Sequence, residues 1–158
     1  MGHAAPFAFE LAYRPAPAID RLRAGTPPIL SMAALDAALD VFEGVDMHAL
    51  QERSIALSED FIRRIELDCP ELQHASPRNP AQRGSQVSFR FRQGYPAMQA
   101  LIARGVIGDF RAPDVMRFGF APLYIGLADI ETAAGALVEI VRRGLWDRPE
   151  YHARNKVT

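Results

Sequence analysis

Residues 105–124 read GVIGDFRAPDVMRFGFAPLY. Two apolar runs, Val106 to Phe110 and Val115 to Phe120, flank Arg111-Ala112-Pro113-Asp114, which predicts two short strands joined by a proline turn. Arg117 sits inside the second run, with Val115, Met116, Phe118 and Phe120 as its apolar neighbours in sequence. A guanidinium keeps its charge at any working pH, so in apolar company it needs an anion or water. Three readings of Arg117 stay open. It pairs with Asp109 or Asp114 inside the chain, it points out to solvent, or it grips the carboxylate of a ligand through two parallel hydrogen bonds.

Working outward, Gln86 to Arg92 alternates Val87, Phe89 and Phe91 against Ser88, Arg90 and Arg92, the pattern of a half-buried antiparallel strand. A helix is expected from Tyr95-Pro96 through Ala103, with Met98, Leu101 and Ile102 inward. A last helix, Ile130 to Arg143, follows Asp129 as its cap, with Leu137, Ile140 and Val141 among its apolar positions. The tail LWDRPEYHARNKVT is polar and is placed on the surface.

Upstream, Asp46 caps a helix running to about Asp68, where Pro70 ends it. Leu50, Leu57, Phe61 and Ile65 repeat on one face, widened by Ile55 and Ile62. The segment SPRNPAQRGS, after the short apolar piece Leu72 to Ala75, is a surface loop. An earlier helix begins at Thr26-Pro27-Pro28 and continues through ILSMAALDAALDVF to Gly44. Its only polar stripe is Asp36 and Asp40, so it should be buried around most of its circumference. Residues 1–25 show no period; Pro6, Pro15 and Pro17 interrupt Phe7, Phe9 and Tyr13, as in an arm that wraps another surface. Two helices followed by strand, helix, strand, strand, helix predict an α+β fold. Its small antiparallel sheet of about three to four strands would be covered on one side by helices. The domain division expected is 1–25 as an extended arm and 26–158 as the folded domain.

At 158 residues the chain is one domain in size, and its net charge of −1 argues against a nucleic-acid or membrane surface as main partner. Cys69 is the only cysteine, which excludes an internal disulfide and fits a reducing, cytoplasmic setting. No CxxC, HExxH, GxGxxG or GxxxxGK[ST] pattern occurs, and His3, His48, His74 and His152 are scattered, so no metal site is indicated. Seventeen arginines accompany a single lysine, Lys156, so lysine chemistry has one candidate, near the C-terminus. A second positive signal joins Arg117: Gly25-Thr26 leads into a helix N-terminus. Thr26 there is either a plain cap or one arm of an anion site.

The stretches MGHAAPFAF, AGTPPILSMAALDAALDVF, HALQERSIALSEDFI, DFRAPDVMRFGFAPLY and KVT occur in this order across nearly the whole chain. On them the chain resembles the C-terminal small domain of kynureninase, a pyridoxal-phosphate enzyme with the aspartate-aminotransferase-like fold. The resemblance implies hydrolysis of L-kynurenine, or its 3-hydroxy form, to anthranilate (or 3-hydroxyanthranilate) and L-alanine in tryptophan catabolism, by a homodimer with its active site at the subunit interface. It implies that Thr26 reaches the cofactor phosphate and that Arg117 holds the substrate α-carboxylate. Gly2-His3 matches a Gly-His that follows a phosphate-contacting tryptophan, which the sequence does not include. The Schiff-base lysine, the acid facing the pyridine nitrogen and the ring-stacking aromatic belong to the family's large domain. Lys156, on a polar tail, does not replace that lysine. No catalytic residue is therefore expected in this chain; alone it should be inactive and should not retain pyridoxal phosphate, with the large catalytic domain its missing partner. The alternative reading is a stand-alone α+β module binding a small carboxylate through Arg117.

Overall fold

The computed structural model describes residues 2–23 and 25–153, and the chain divides into two compact units, Met1–Val45 and Asp46–Thr158. Lys156 and the closing KVT lie outside the described residues.

The first unit opens with a chain that folds back on itself. The Gly2 N–H donates to the Arg21 carbonyl at 2.9 Å, the Ala16 N–H to the Gly2 carbonyl at 3.0 Å, and the Ala4 N–H to the Arg14 carbonyl at 2.8 Å. A 3-10 turn over Ala18–Leu22 completes the loop. Helix α1 spans Ile29–Leu39, later than the sequence pattern predicts, and its N-cap position is Pro28 with no side-chain cap bond. Thr26 therefore does not cap it. Two consecutive prolines hold the chain extended up to the first helical residue. The helix also departs from the expected burial: it has no buried residue, and Ile29, Leu30, Met32, Leu35 and Leu39 are all more than half exposed. Its pattern specifies a surface to be covered, and among the described residues of this unit nothing covers it.

The second unit holds the core. Helix α2, Met47–Asp68, starts where Asp46 accepts hydrogen bonds from the His48 and Ala49 backbone N–H groups, as its sequence predicts. Four antiparallel strands follow: β1 (Gln73–His74), β2 (Gln86–Arg90), β3 (Asp109–Arg111) and β4 (Val115–Gly119), in the order β1-β2-β4-β3. The β1 strand, at only two residues, is too short to leave a period in the sequence. Helix α3 (Gly94–Ile102) follows β2, and helices α4 (Leu127–Arg142) and α5 (Pro149–His152) close the chain.

Alternation decides the layers. Val87 and Phe89 of β2 lie opposite Phe118 and Met116 of β4, all buried on one face of the sheet. Against that face pack Phe61 and Ile65 of α2, Met98 and Leu101 of α3, and Leu137 and Ile140 of α4. Phe61 is the hub, with ring centroids 5.1 Å from Phe118, 5.5 Å from Phe120 and 6.1 Å from Phe89. The chain is thus α+β, with a small antiparallel sheet covered by helices.

Local readings change as well, and the strand expected over Val106 to Phe110 is confined to Asp109–Arg111. Ile102 is partly exposed rather than inward. Asp129 is not the N-cap of α4; Gly126 is, and the Asp129 carboxylate reaches back to the Gly126 N–H at 2.8 Å. The tail is not wholly surface chain, because Leu145, Trp146 and Tyr151 pack against the core, with Trp146 edge-on to Phe91.

Candidate functional site

The same alternation turns Arg117 away from the company its sequence position implies. Met116 and Phe118 point into the core, so Arg117 stands on the opposite, open face of the sheet beside Ser88 of β2 and Asp109 of β3. The two strands that carry Asp109 and Arg117 meet closely because residue 108 is glycine. A Cβ there would come within 2.7 Å of Met98 Cε and 3.0 Å of the Arg117 carbonyl oxygen.

Arg117 donates from Nη2 to Asp109 Oδ2, and Arg111 Nη2 lies 3.3 Å from that same oxygen. The hydrogen bond from Arg117 holds the Asp109 carboxyl below its ordinary value, against the opposing pull of desolvation. Nearby, Arg90 pairs with Asp114 at 2.7 Å, and the Asp114 carbonyl accepts from the Phe91 N–H at 2.9 Å. These contacts tie the β3–β4 turn, with its cis Ala112–Pro113 peptide, to the end of β2. Of the internal partners open at the sequence level, Asp109 is the one Arg117 takes. The pair still leaves the arginine incompletely satisfied: its Nε is buried with no acceptor. An orphaned buried donor costs about 1–3 kcal/mol, so an oxygen partner brought to it would be stabilising.

Thr26, Gly2 and His3 come together in the first unit. All three line a cavity of about 790 Å³, as do Glu10, Asp20, Arg23 and Gly25. Only glycine fits at position 2, since a Cβ would sit 1.9 Å from the Asp20 carbonyl oxygen. His3 Nδ1 accepts from the Ala5 N–H at 3.0 Å, which leaves the proton on Nε2, 3.2 Å from the Ala12 carbonyl. The lining includes two groups that suit the phosphate end of pyridoxal phosphate, a hydroxyl at Thr26 and a guanidinium at Arg23, and two carboxylates that oppose it, Glu10 and Asp20. The other end of the cofactor finds no seat among the described residues, where no lysine occurs. Thr26 belongs to the first unit and Arg117 to the second.

Two residues carry features that sequence reasoning missed. The Arg83 side chain is only 3% exposed; it donates to the Pro77 and Arg78 carbonyls at 3.0 and 3.2 Å and pairs with Glu59 of α2. It is the pin of the 76–85 loop, and a proline-rich polar stretch gives no periodic signal of such a pin. His74, with its Nε2 buried and unpartnered, has its pKa lowered first by burial and next by Arg78. Cys69 is fully buried, and burial pushes its thiol up to about 12, which makes it inert as a nucleophile. Among the described residues no group of His, Cys, Asp and Glu could hold a metal, and no helix is long and apolar enough to cross a membrane.

Comparison with known proteins gives one consistent picture. A family model described as the kynureninase C-terminal domain matches residues 50–137. The kynureninases of Burkholderia mallei strain SAVP1 and Burkholderia pseudomallei strain K96243 are each 46% identical over 159 residues, covering 99% of this chain and 38% of the relative. The kynureninase of Pseudomonas fluorescens is 45% identical over the same span and coverage. The chain therefore spans well under half the length of the curated relatives it matches.

Proposed function

Because the chain belongs to the kynureninase family, as its C-terminal domain, we propose that it supplies the substrate-carboxylate side of a kynurenine-hydrolysing site and depends on a large domain for the rest. The observation that carries the reading is Arg117, inside the matched region, standing on the open face of the sheet with an unfilled Nε donor.

In this reading Arg117 binds and orients the α-carboxylate of L-kynurenine or 3-hydroxykynurenine, fixing the carbon skeleton for cleavage to anthranilate or 3-hydroxyanthranilate and L-alanine. Thr26 holds the phosphate of pyridoxal phosphate from the cavity of the first unit, which Arg23 also lines. When bound, that cofactor supplies the electron sink the bond cleavage needs. Its covalent seat and the acid that tunes its ring come from the large domain. The active assembly is a homodimer, and its setting is the cytoplasm. The chain alone neither retains the cofactor nor turns substrate over.

The test is a fluorescence assay for anthranilate with the purified chain, pyridoxal phosphate and L-kynurenine, paired with desalting to see whether cofactor absorbance stays with the protein. No product and no retained cofactor are expected. Product formation by the chain alone would sink the proposal. Tight binding of alanine or anthranilate without cofactor, read by isothermal titration, would instead favour a self-standing carboxylate-binding module.

A further inference from the structure

We propose that Asp109 is the positioning residue of the Arg117 clamp, an inference that rests on Arg117 binding the substrate carboxylate. Asp109 opposes Arg117 directly in the β3–β4 register, so the backbone delivers its carboxylate to the guanidinium. The adjoining Gly108 allows the close approach, with no room for a side chain between Met98 and the Arg117 carbonyl.

The arrangement does two things at once. It tethers a long, rotamer-rich side chain in the free protein, so less freedom remains to be lost when a ligand arrives. It also leaves the site cationic. Asp109 Oδ2 is shared between Arg117 and Arg111, so the three groups together keep a positive charge. Arg90, also on this face, is taken by Asp114 at 2.7 Å. The Arg117 side chain is 28% exposed, partly open to solvent, while its Nε has no acceptor. A carboxylate thus meets a guanidinium already fixed in place and not neutralised. Without Asp109, Arg111 and Arg117 lose their common anchor and repel each other.

The experiment is a titration of L-kynurenine into the isotope-labelled full chain, following the Arg117 Nε–H resonance by NMR, in wild type, Asp109→Asn and Asp109→Glu. Wild type is expected to show a weak but saturable shift of that resonance, because the chain alone supplies only the carboxylate side of the site. Asp109→Asn is expected to bind about tenfold more weakly, the size of coupling common within one ion-pair network. Its Nε–H signal should also exchange faster with water before any ligand is added, a change that a merely structural role would not produce at that one proton. Asp109→Glu, which keeps the charge but moves it, should fall between the two, and it carries the test if backbone amides show that the Asn variant has lost its fold. Equal affinity in wild type and both variants overturns the positioning role while leaving Arg117 as the clamp. Tighter binding by Asp109→Asn overturns it too, because Asp109 would then be a competitor of the ligand. A wild type without any saturable shift overturns the reading of Arg117 itself, and this inference with it.

Discussion

Asp109 and Arg117 face each other across the β3–β4 pair, and the carboxylate of the first carries the guanidinium of the second. That bond holds the Asp109 carboxyl below its ordinary value. A carboxylate depressed in the folded state stabilises the fold at pH above its unfolded value, and the contribution is lost as pH falls through the folded value. Because the Asp109 side chain is 46% exposed, solvent screening keeps the effect small. Urea midpoints measured down an acid titration should therefore fall less steeply for Asp109→Asn than for wild type. Superimposable acid limbs would contradict this.

Phe61 touches three aromatic rings, Phe89, Phe118 and Phe120, and is 1% exposed. Truncating it opens a cavity between α2 and the sheet. Phe61→Ala should destabilise the second unit by about 3–5 kcal/mol, read from denaturant unfolding. A loss below about 1 kcal/mol would mean that this aromatic cluster does not anchor the core.

Arg83 holds the 76–85 loop through two carbonyls, Ser58 and Glu59. Arg83→Ala removes those bonds and leaves the carbonyls to water. The expected cost is about 2–3 kcal/mol, with new protease cleavage between residues 76 and 85. An unchanged cleavage pattern would show that the loop is held by something else.

The apolar surface of α1 makes a different kind of prediction. With Leu30 88% exposed and Leu35 59% exposed, the purified chain should self-associate as its concentration rises. Leu30→Glu together with Leu35→Glu should shift sedimentation toward monomer without changing the unfolding of the second unit. A wild type that stays monomeric at every concentration would count against a missing cover for this helix.

Residues differ in how plainly their sequence announces them. The frame of the second unit was legible because its longer elements carry their own period: Val87 and Phe89 alternate, and Leu57, Phe61 and Ile65 recur at helical spacing. The cap at Asp46 was legible for the same local reason. What escaped depends on contacts far apart in sequence. Arg117 looked surrounded by apolar residues until the strand period turned Met116 and Phe118 to the other face. Arg83 lies in a stretch with no period, and its partner Glu59 is on α2. Helix α1 reads as buried, because its pattern records a surface that must be covered and not what covers it. Thr26 shares a cavity with Gly2 and His3, a grouping that no spacing in the sequence announces.

The most direct test joins this chain to the portion of the Pseudomonas fluorescens kynureninase that lies outside the matching region and measures anthranilate release from L-kynurenine with pyridoxal phosphate. The account predicts turnover by the chimera and none by the chain alone. It also predicts that Arg117→Leu lowers kcat/KM by on the order of a hundredfold, the loss of one charged hydrogen-bonded partner. A chimera whose Arg117→Leu variant turns over as fast as its parent would contradict the central role given to that arginine.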